Sequence, residues 1–197
     1  MNGMLARLVG FAAMYLALAA VSVAGQLDAA DAAIKHRDYP SALRIYRQAA
    51  AQGDAEAQYN LGVMYDMGEG MPEDDPGAVG WYGKAAYQGY AFAQFNLGMM
   101  YDRGDGVPMD YLQSVIWLRK AADQGLGVAQ RQLGDMFSSG QGVPRDDVQA
   151  LLWLSLAADQ GLTNAQRERD IVKNRMTAGE VSHSQVLQSE WMAAHPS

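Results

Sequence analysis

Residues 57–72 read AQYNLGVMYDMGEGMP, residues 93–108 read AQFNLGMMYDRGDGVP, and residues 129–144 read AQRQLGDMFSSGQGVP. A tryptophan follows each copy, at Trp81, Trp117 and Trp153, so that equivalent residues fall 36 positions apart. Gln58, Gln94 and Gln130 keep the same step, as do Pro72, Pro108 and Pro144. A period of this size marks a solenoid, in which each unit is too small to bury its own apolar face and buries it against its neighbours.

Within a copy, apolar positions recur with helical spacing. Ala57, Leu61, Met64 and Tyr65 share one face of a first helix, A, and Gly62 on that face lets another helix come close. Gly68-Glu69-Gly70 stops the helix, and Pro72 cannot continue it. Asp75 is the expected cap of a second helix, B, with Pro76 in its first turn and Ala78, Trp81, Tyr82, Ala85 and Ala86 on one face. The next two B helices open on Asp110…Gln113 and Asp146…Gln149, both with the spacing of a capping box. The expected fold is therefore all-α, an αα-superhelix of stacked antiparallel helix pairs, with repeats at 54–89, 90–125 and 126–161.

The ends of the stack depart from the pattern. Residues 26–53 hold LDAADAAIK and YPSALRIYRQAAAQG, two helical segments joined by KHRD without the glycine loop, and Gly53 suits a left-handed C-terminal cap. This reads as an N-terminal capping pair. Residues 162–197 begin another helix A at Thr163-Asn164-Ala165-Gln166, then lose the motif in polar RERDIVKNRM. Thr177…Glu180 is a further capping box, opening a last helix with Val181, Leu187, Trp191 and Ala194 toward the stack. The tail His195-Pro196-Ser197 is expected to fray.

Residues 1–25 differ in kind. Arg7 precedes the nearly continuous apolar run Leu8–Val23, closed by small residues at Ser22-Val23-Ala24-Gly25, the layout of a cleaved secretory signal. About 16 apolar residues is short of the roughly 20 that span a bilayer, so an uncleaved N-terminal membrane anchor is the alternative. The expected location is periplasmic or secreted. The chain has no cysteine, which excludes disulfides and thiolate chemistry. A formal net charge of −7 leaves no broad basic surface for nucleic acid or anionic lipid.

AQxxLGxMYxxGxGVPxD followed by WxxKAAxQG resembles the Sel1-like repeat, a relative of the tetratricopeptide repeat. A tetratricopeptide array would show a 34-residue period and a short turn; only the first pair looks like that. The resemblance implies an αα-solenoid acting as a protein-interaction scaffold, with a protein or peptide as partner, as in bacterial exported or signalling systems. Some exported relatives are rich in cysteine and linked to penicillin-like compounds. A hydrolase or penicillin-binding activity is thus the alternative function, and the lack of cysteine sets this chain apart from that branch.

The residues offer little catalytic chemistry. His36, His183 and His195 lack metal-ligand spacing, and HExxH, GxSxG and SxxK are absent. Asp66, Glu69, Glu73, Asp74 and Asp75 lack the order of a calcium loop and read as a solvated turn. No enzyme activity, cofactor or metal is expected. The letters that vary between copies are the informative ones. On the side of helix A away from Leu61 and Met64 they include Tyr59, Asn60 and Val63, then Phe92, Phe95, Asn96, Met99 and Asp102, then Arg131 and Asp135. Apolar groups with a polar edge on such a stripe suit a partner, and these ten residues are the expected binding face on the concave side. Packing between neighbouring helices is the competing reading.

Overall fold

The computed structural model describes residues 25–196. The expected signal segment thus lies outside the described residues, save Gly25. Helices account for 75% of the described residues, and there is no strand among them. Helix α1 covers residues 25–35. It is followed by α2 (Tyr39–Ala51), α3 (Ala55–Asp66), α4 (Asp75–Tyr87), α5 (Ala91–Arg103), α6 (Tyr111–Asp123), α7 (Gly127–Ser139), α8 (Asp147–Asp159), α9 (Thr163–Lys173) and α10 (Ala178–Ala194). Within each repeat α3 packs on α4, α5 on α6 and α7 on α8, while α2, α4 and α6 each hand over to the next helix A. That is the αα-solenoid.

Each B helix starts on an aspartate whose carboxylate accepts a backbone N–H of the first turn. Asp74 accepts from Gly77, Asp110 from Gln113, and Asp146 from Val148 and Gln149. The expected cap Asp75 is one residue late: Asp74 caps, and Asp75 with Pro76 forms the first turn. Asp110 and Asp146 make only the side-chain-to-N3 half of a capping box, whereas Thr177 and Glu180 complete both halves at α10. The capping aspartates also anchor the glycine loop, because their own N–H groups donate to Tyr65, Tyr101 and Phe137 carbonyls at the end of helix A. Gly104, with φ +80°, ends α5 in the left-handed conformation. The second loop glycine, Gly106, also has positive φ and lies against the backbone of Asp75 and Pro76 at the start of the preceding helix B, where a side chain could not fit.

The deepest core lies one residue beyond the tryptophans. Tyr82, Leu118 and Leu154 are fully buried, Trp117 and Trp153 nearly so, and Trp81 only half-buried, contrary to its expected place on the buried face. The cause is the LG pair of helix A. A Cβ on Gly62 would lie 2.6 Å from Tyr82 Cδ1, one on Gly98 2.9 Å from Leu118 Cγ, and one on Gly134 2.7 Å from Leu154 Cγ. Helices A and B therefore meet at backbone distance along this line.

Glutamines tie one repeat to the next. Buried Gln58, Gln94 and Gln130 donate through Nε2 to the carbonyls of Ala50, Ala86 and Ala122 at the C-terminus of the preceding helix B. Their Oε1 atoms accept from Gln88, Gln124 and Gln160 at the end of their own helix B, at 2.7, 2.7 and 2.9 Å. The recurring AQ and QG are thus two ends of one hydrogen-bonded ladder, which satisfies polar groups inside the stack.

The two ends differ. The KHRD link closes with Arg37 at φ +59° and Asp38 capping α2 through Ser41 N–H. At the other end α8 is buried nearly all round, Leu151, Leu152 and Leu156 included, because α10 packs on it. The fully buried contact residue of α10 is Ser184; Val181, Leu187 and Trp191 are half-buried, and Ala194 is exposed, contrary to expectation. The His195 ring stacks on Trp191, with the ring centres 4.2 Å apart. Arg175, in the link between α9 and α10, pairs with Asp147 at 2.6 Å and bonds Ser138 Oγ at 2.9 Å.

Candidate partner-binding face

The A helices stand side by side, and the variable letters line the seam between them. Tyr59, Asn60, Val63, Phe95, Asn96, Met99, Asp102, Arg131 and Asp135 are half-buried, and Phe92 is 49% exposed. Leu61, by contrast, is fully buried. Tyr59 and Val63 pack against the core formed by α4 and α5 with Trp117, and Phe95 and Met99 against the core of α6 to α8. The expected packing between neighbouring helices is thus present for Tyr59, Val63, Phe95 and Met99, and the nine half-buried side chains all keep part of their surface exposed. Helical periodicity alone missed this because a helix A has three neighbours: its own helix B, the preceding one and the next helix A.

The seam changes chemistry along the stack. Between α1, α2 and α3, Ile34, Tyr46, Asn60, Val63 and Met64 line a cavity of about 250 Å³ with Asp31, Lys35 and Glu69. Between α3 and α5, Asp66, Phe95, Asn96, Met99 and Arg103 line a smaller one of about 170 Å³. Between α7 and α9 the seam is ionic. Arg131 reaches Asp135 at 3.1 Å and Glu168 at 3.2 Å. Burial, helped by the Glu168 charge, pushes the Asp135 carboxyl up to about 6 despite Arg131.

Two tyrosine–aspartate hydrogen bonds were not foreseen from the sequence. Tyr46 and Tyr82 hold equivalent places in successive B helices and donate to Asp31 and to Asp66 (3.0 Å). Burial and these carboxylates keep both phenols protonated far above the usual tyrosine range. For Asp102, equivalent to Asp66, the position matching Tyr82 is Leu118, which offers no hydroxyl; one buried oxygen of Asp102 is without a partner, and burial raises its carboxyl. The carboxylates weighed as a calcium loop are spent separately, Asp74 on a helix cap and Asp66 on Tyr82. No helix among the described residues is long and apolar enough to cross a membrane.

Comparison with known families resolves the identity of the repeat. The model described as "Sel1 repeat" matches residues 33–54, 55–90, 91–126 and 127–162, more than half of the chain. The chain belongs to the Sel1 repeat family. The first Sel1 match overlaps the helix pair at residues 26–53, and the other three each begin one residue after the starts read from the sequence. Among solved structures the chain is similar to c5321, a protective antigen of uropathogenic Escherichia coli strains displaying an SLR fold. The identity is 36% and the TM-score 0.79, covering 87% of this chain and 38% of that one. It is also similar to a Sel1 repeat protein of Oxalobacter formigenes at 32% identity and TM-score 0.72, covering 76% of this chain and 61% of that one. MamA, at 17% identity and TM-score 0.53, shares the fold, with 89% and 96% of the two chains covered. Comparison with curated proteins finds no match. Sel1 repeat proteins are in general protein-interaction scaffolds.

Proposed function

We propose that this Sel1 repeat protein is a non-catalytic scaffold of the cell envelope, exported through its N-terminal segment. It binds a protein or peptide along the seam of its A helices and so regulates envelope signalling or cell-wall enzymes. The observation that carries this reading is the half-open state of the seam. Nine variable side chains are half-buried and keep part of their surface exposed, Tyr59, Val63, Phe95 and Met99 among them packed on the core, and two cavities lie along the row. Side chains already ordered by the fold lose little entropy when a partner covers them. Apolar Val63, Phe95 and Met99 would give affinity, while Asn60, Asn96 and Asp102 would set orientation. Location in the envelope rests on the sequence of residues 1–25.

Crosslinking and capture from intact envelopes tests it, with Phe95→Ser beside the wild type. Phe95 is half-buried, so circular dichroism must first show the variant folded. The expected result is a protein captured by the wild type and lost from Phe95→Ser. Equal capture by both would remove the seam from the interface, and saturable turnover of a substrate by the purified chain would overturn the scaffold reading.

A further inference from the structure

Toward the N-terminal end of the seam, the cavity between α1, α2 and α3 lies next to an aromatic cluster shared by α3 and the start of α5. Tyr59 lies 5.1 Å from Tyr90 and 6.1 Å from Phe92, and Tyr90 lies 6.1 Å from Phe92, ring centre to ring centre. The three rings are tilted and pack as one surface, and Phe92 carries the largest apolar exposure in it. Exposed Glu56 sits on the same side of α3, one turn before Tyr59. The charged groups that bear on Glu56 are Asp54, Asp31 and Asp28, and those that bear on Tyr90 are Glu56, Asp54 and Asp31: carboxylates throughout. Asp31 also lines the cavity floored by Ile34, Val63 and Met64, so the apolar hole and the ring surface share one acidic border; Lys35 is the cation on its rim.

We propose that this end of the face docks a basic, extended segment of a partner protein. An apolar side chain enters the cavity at Ile34 and Val63, and a nearby lysine or arginine lies on the Tyr59–Tyr90–Phe92 rings beside Glu56. The faces of aromatic rings attract cations, and a carboxylate at their edge supplies the countercharge. An acidic segment or an anionic lipid surface would meet the same carboxylates as repulsion. A purely apolar helix would desolvate the Glu56 carboxylate without bringing it a countercharge. The proposal rests on the scaffold reading and narrows it to one class of partner and one end of the face.

Fluorescence anisotropy with the purified chain tests it. The probes are three labelled ten-residue peptides, one alternating lysine with leucine, one lysine with serine, and one glutamate with leucine. The lysine–leucine peptide is expected to bind, the other two at least tenfold more weakly. Phe92→Ser and Glu56→Gln, both at exposed positions, should each weaken it fivefold or more. Glu190→Gln on α10 removes the same charge far away and should leave it unchanged. Equal weakening by Glu56→Gln and Glu190→Gln would reduce the effect to net charge and overturn the proposal, as would binding of the glutamate peptide or no binding at all. Capture of an envelope protein that depends on Phe95 but not on Phe92 or Glu56 would keep the scaffold and remove the basic segment.

Discussion

Gly98 on α5 has no side chain because Leu118 on α6 stands where its Cβ would be, 2.9 Å from Leu118 Cγ. The same exclusion holds between Gly134 and Leu154. Gly98→Ala should therefore force the helices apart and destabilise the stack by about 1–3 kcal/mol, the usual cost of overpacking. Gly80 and Gly83, inside α4, have open space at the same point. Gly80→Ala should instead stabilise by about 0.5–1 kcal/mol through helix propensity and a less flexible unfolded chain. Urea denaturation of the two variants checks both signs, and a stabilising Gly98→Ala would refute the close approach.

The glutamine ladder gives a second prediction. Gln94 is buried and bridges the Ala86 carbonyl to Gln124, whereas Gln124 is exposed. Gln94→Ala should cost about 1–3 kcal/mol, since it leaves a void and takes away both hydrogen bonds. Gln124→Ala should cost clearly less, because water can replace it at Gln94 Oε1. Equal losses in thermal melts would show that the ladder contributes little.

Asp135 makes stability depend on pH in a particular direction. Its carboxyl is raised to about 6 in the fold, chiefly by burial, against about 4 in the unfolded chain. The folded state then holds the proton more tightly, so this group's contribution is most favourable below pH 4 and is lost as pH rises through 6. Asp135→Asn should consequently raise the melting temperature at pH 7.5 relative to wild type, and the gain should vanish near pH 4. The amide can still accept from Arg131, which keeps the link to Glu168 through that side chain. A melting difference independent of pH would contradict the raised value.

At the C-terminal end, Asp147 at the start of α8 is held to about 2 by hydrogen bonds from Arg145 and Arg175. Arg175→Ala should release the link between α9 and α10 from Ser138 and Asp147. Amide hydrogen exchange should quicken in α10 and at the exposed end of α8 while α3 to α6 stay unchanged. Quickening along the entire chain would mean that α10 does more than cover α8.

The repeat was legible in the sequence because packing demands recurrence, and the aspartate caps, loop glycines and helix pairs followed from it. What recurrence hid was depth. Trp81, Trp117 and Trp153 are invariant and draw the eye, yet the fully buried contact of the LG glycine is the next residue, which changes from Tyr82 to Leu118 to Leu154. Gln58 and Gln88 were visible as two motifs, but nothing in their spacing says that they bond across thirty positions of chain. The candidate face was found as a set of residues and not as a seam, since period arithmetic assigns a helix one packed side. The place of α10 was written only indirectly, in the unbroken apolar run Leu151–Leu154 of α8, which needs a cover on its outer side.

The ladder of glutamines has one more consequence. Each rung reaches back to the preceding helix B and down to its own, and every rung has the same chemistry. Residues 91–126 could be excised as a block, and Gln130 would then find Ala86 where it now finds Ala122, with Gly134 still against Leu154. What would change is the row of letters on the seam: Phe92, Phe95 and Met99 would go, and Tyr59 would border Arg131. The stack is in this sense a set of interchangeable frames, and a lineage that gains or loses one such frame alters what the surface recognises without having to solve the folding problem again.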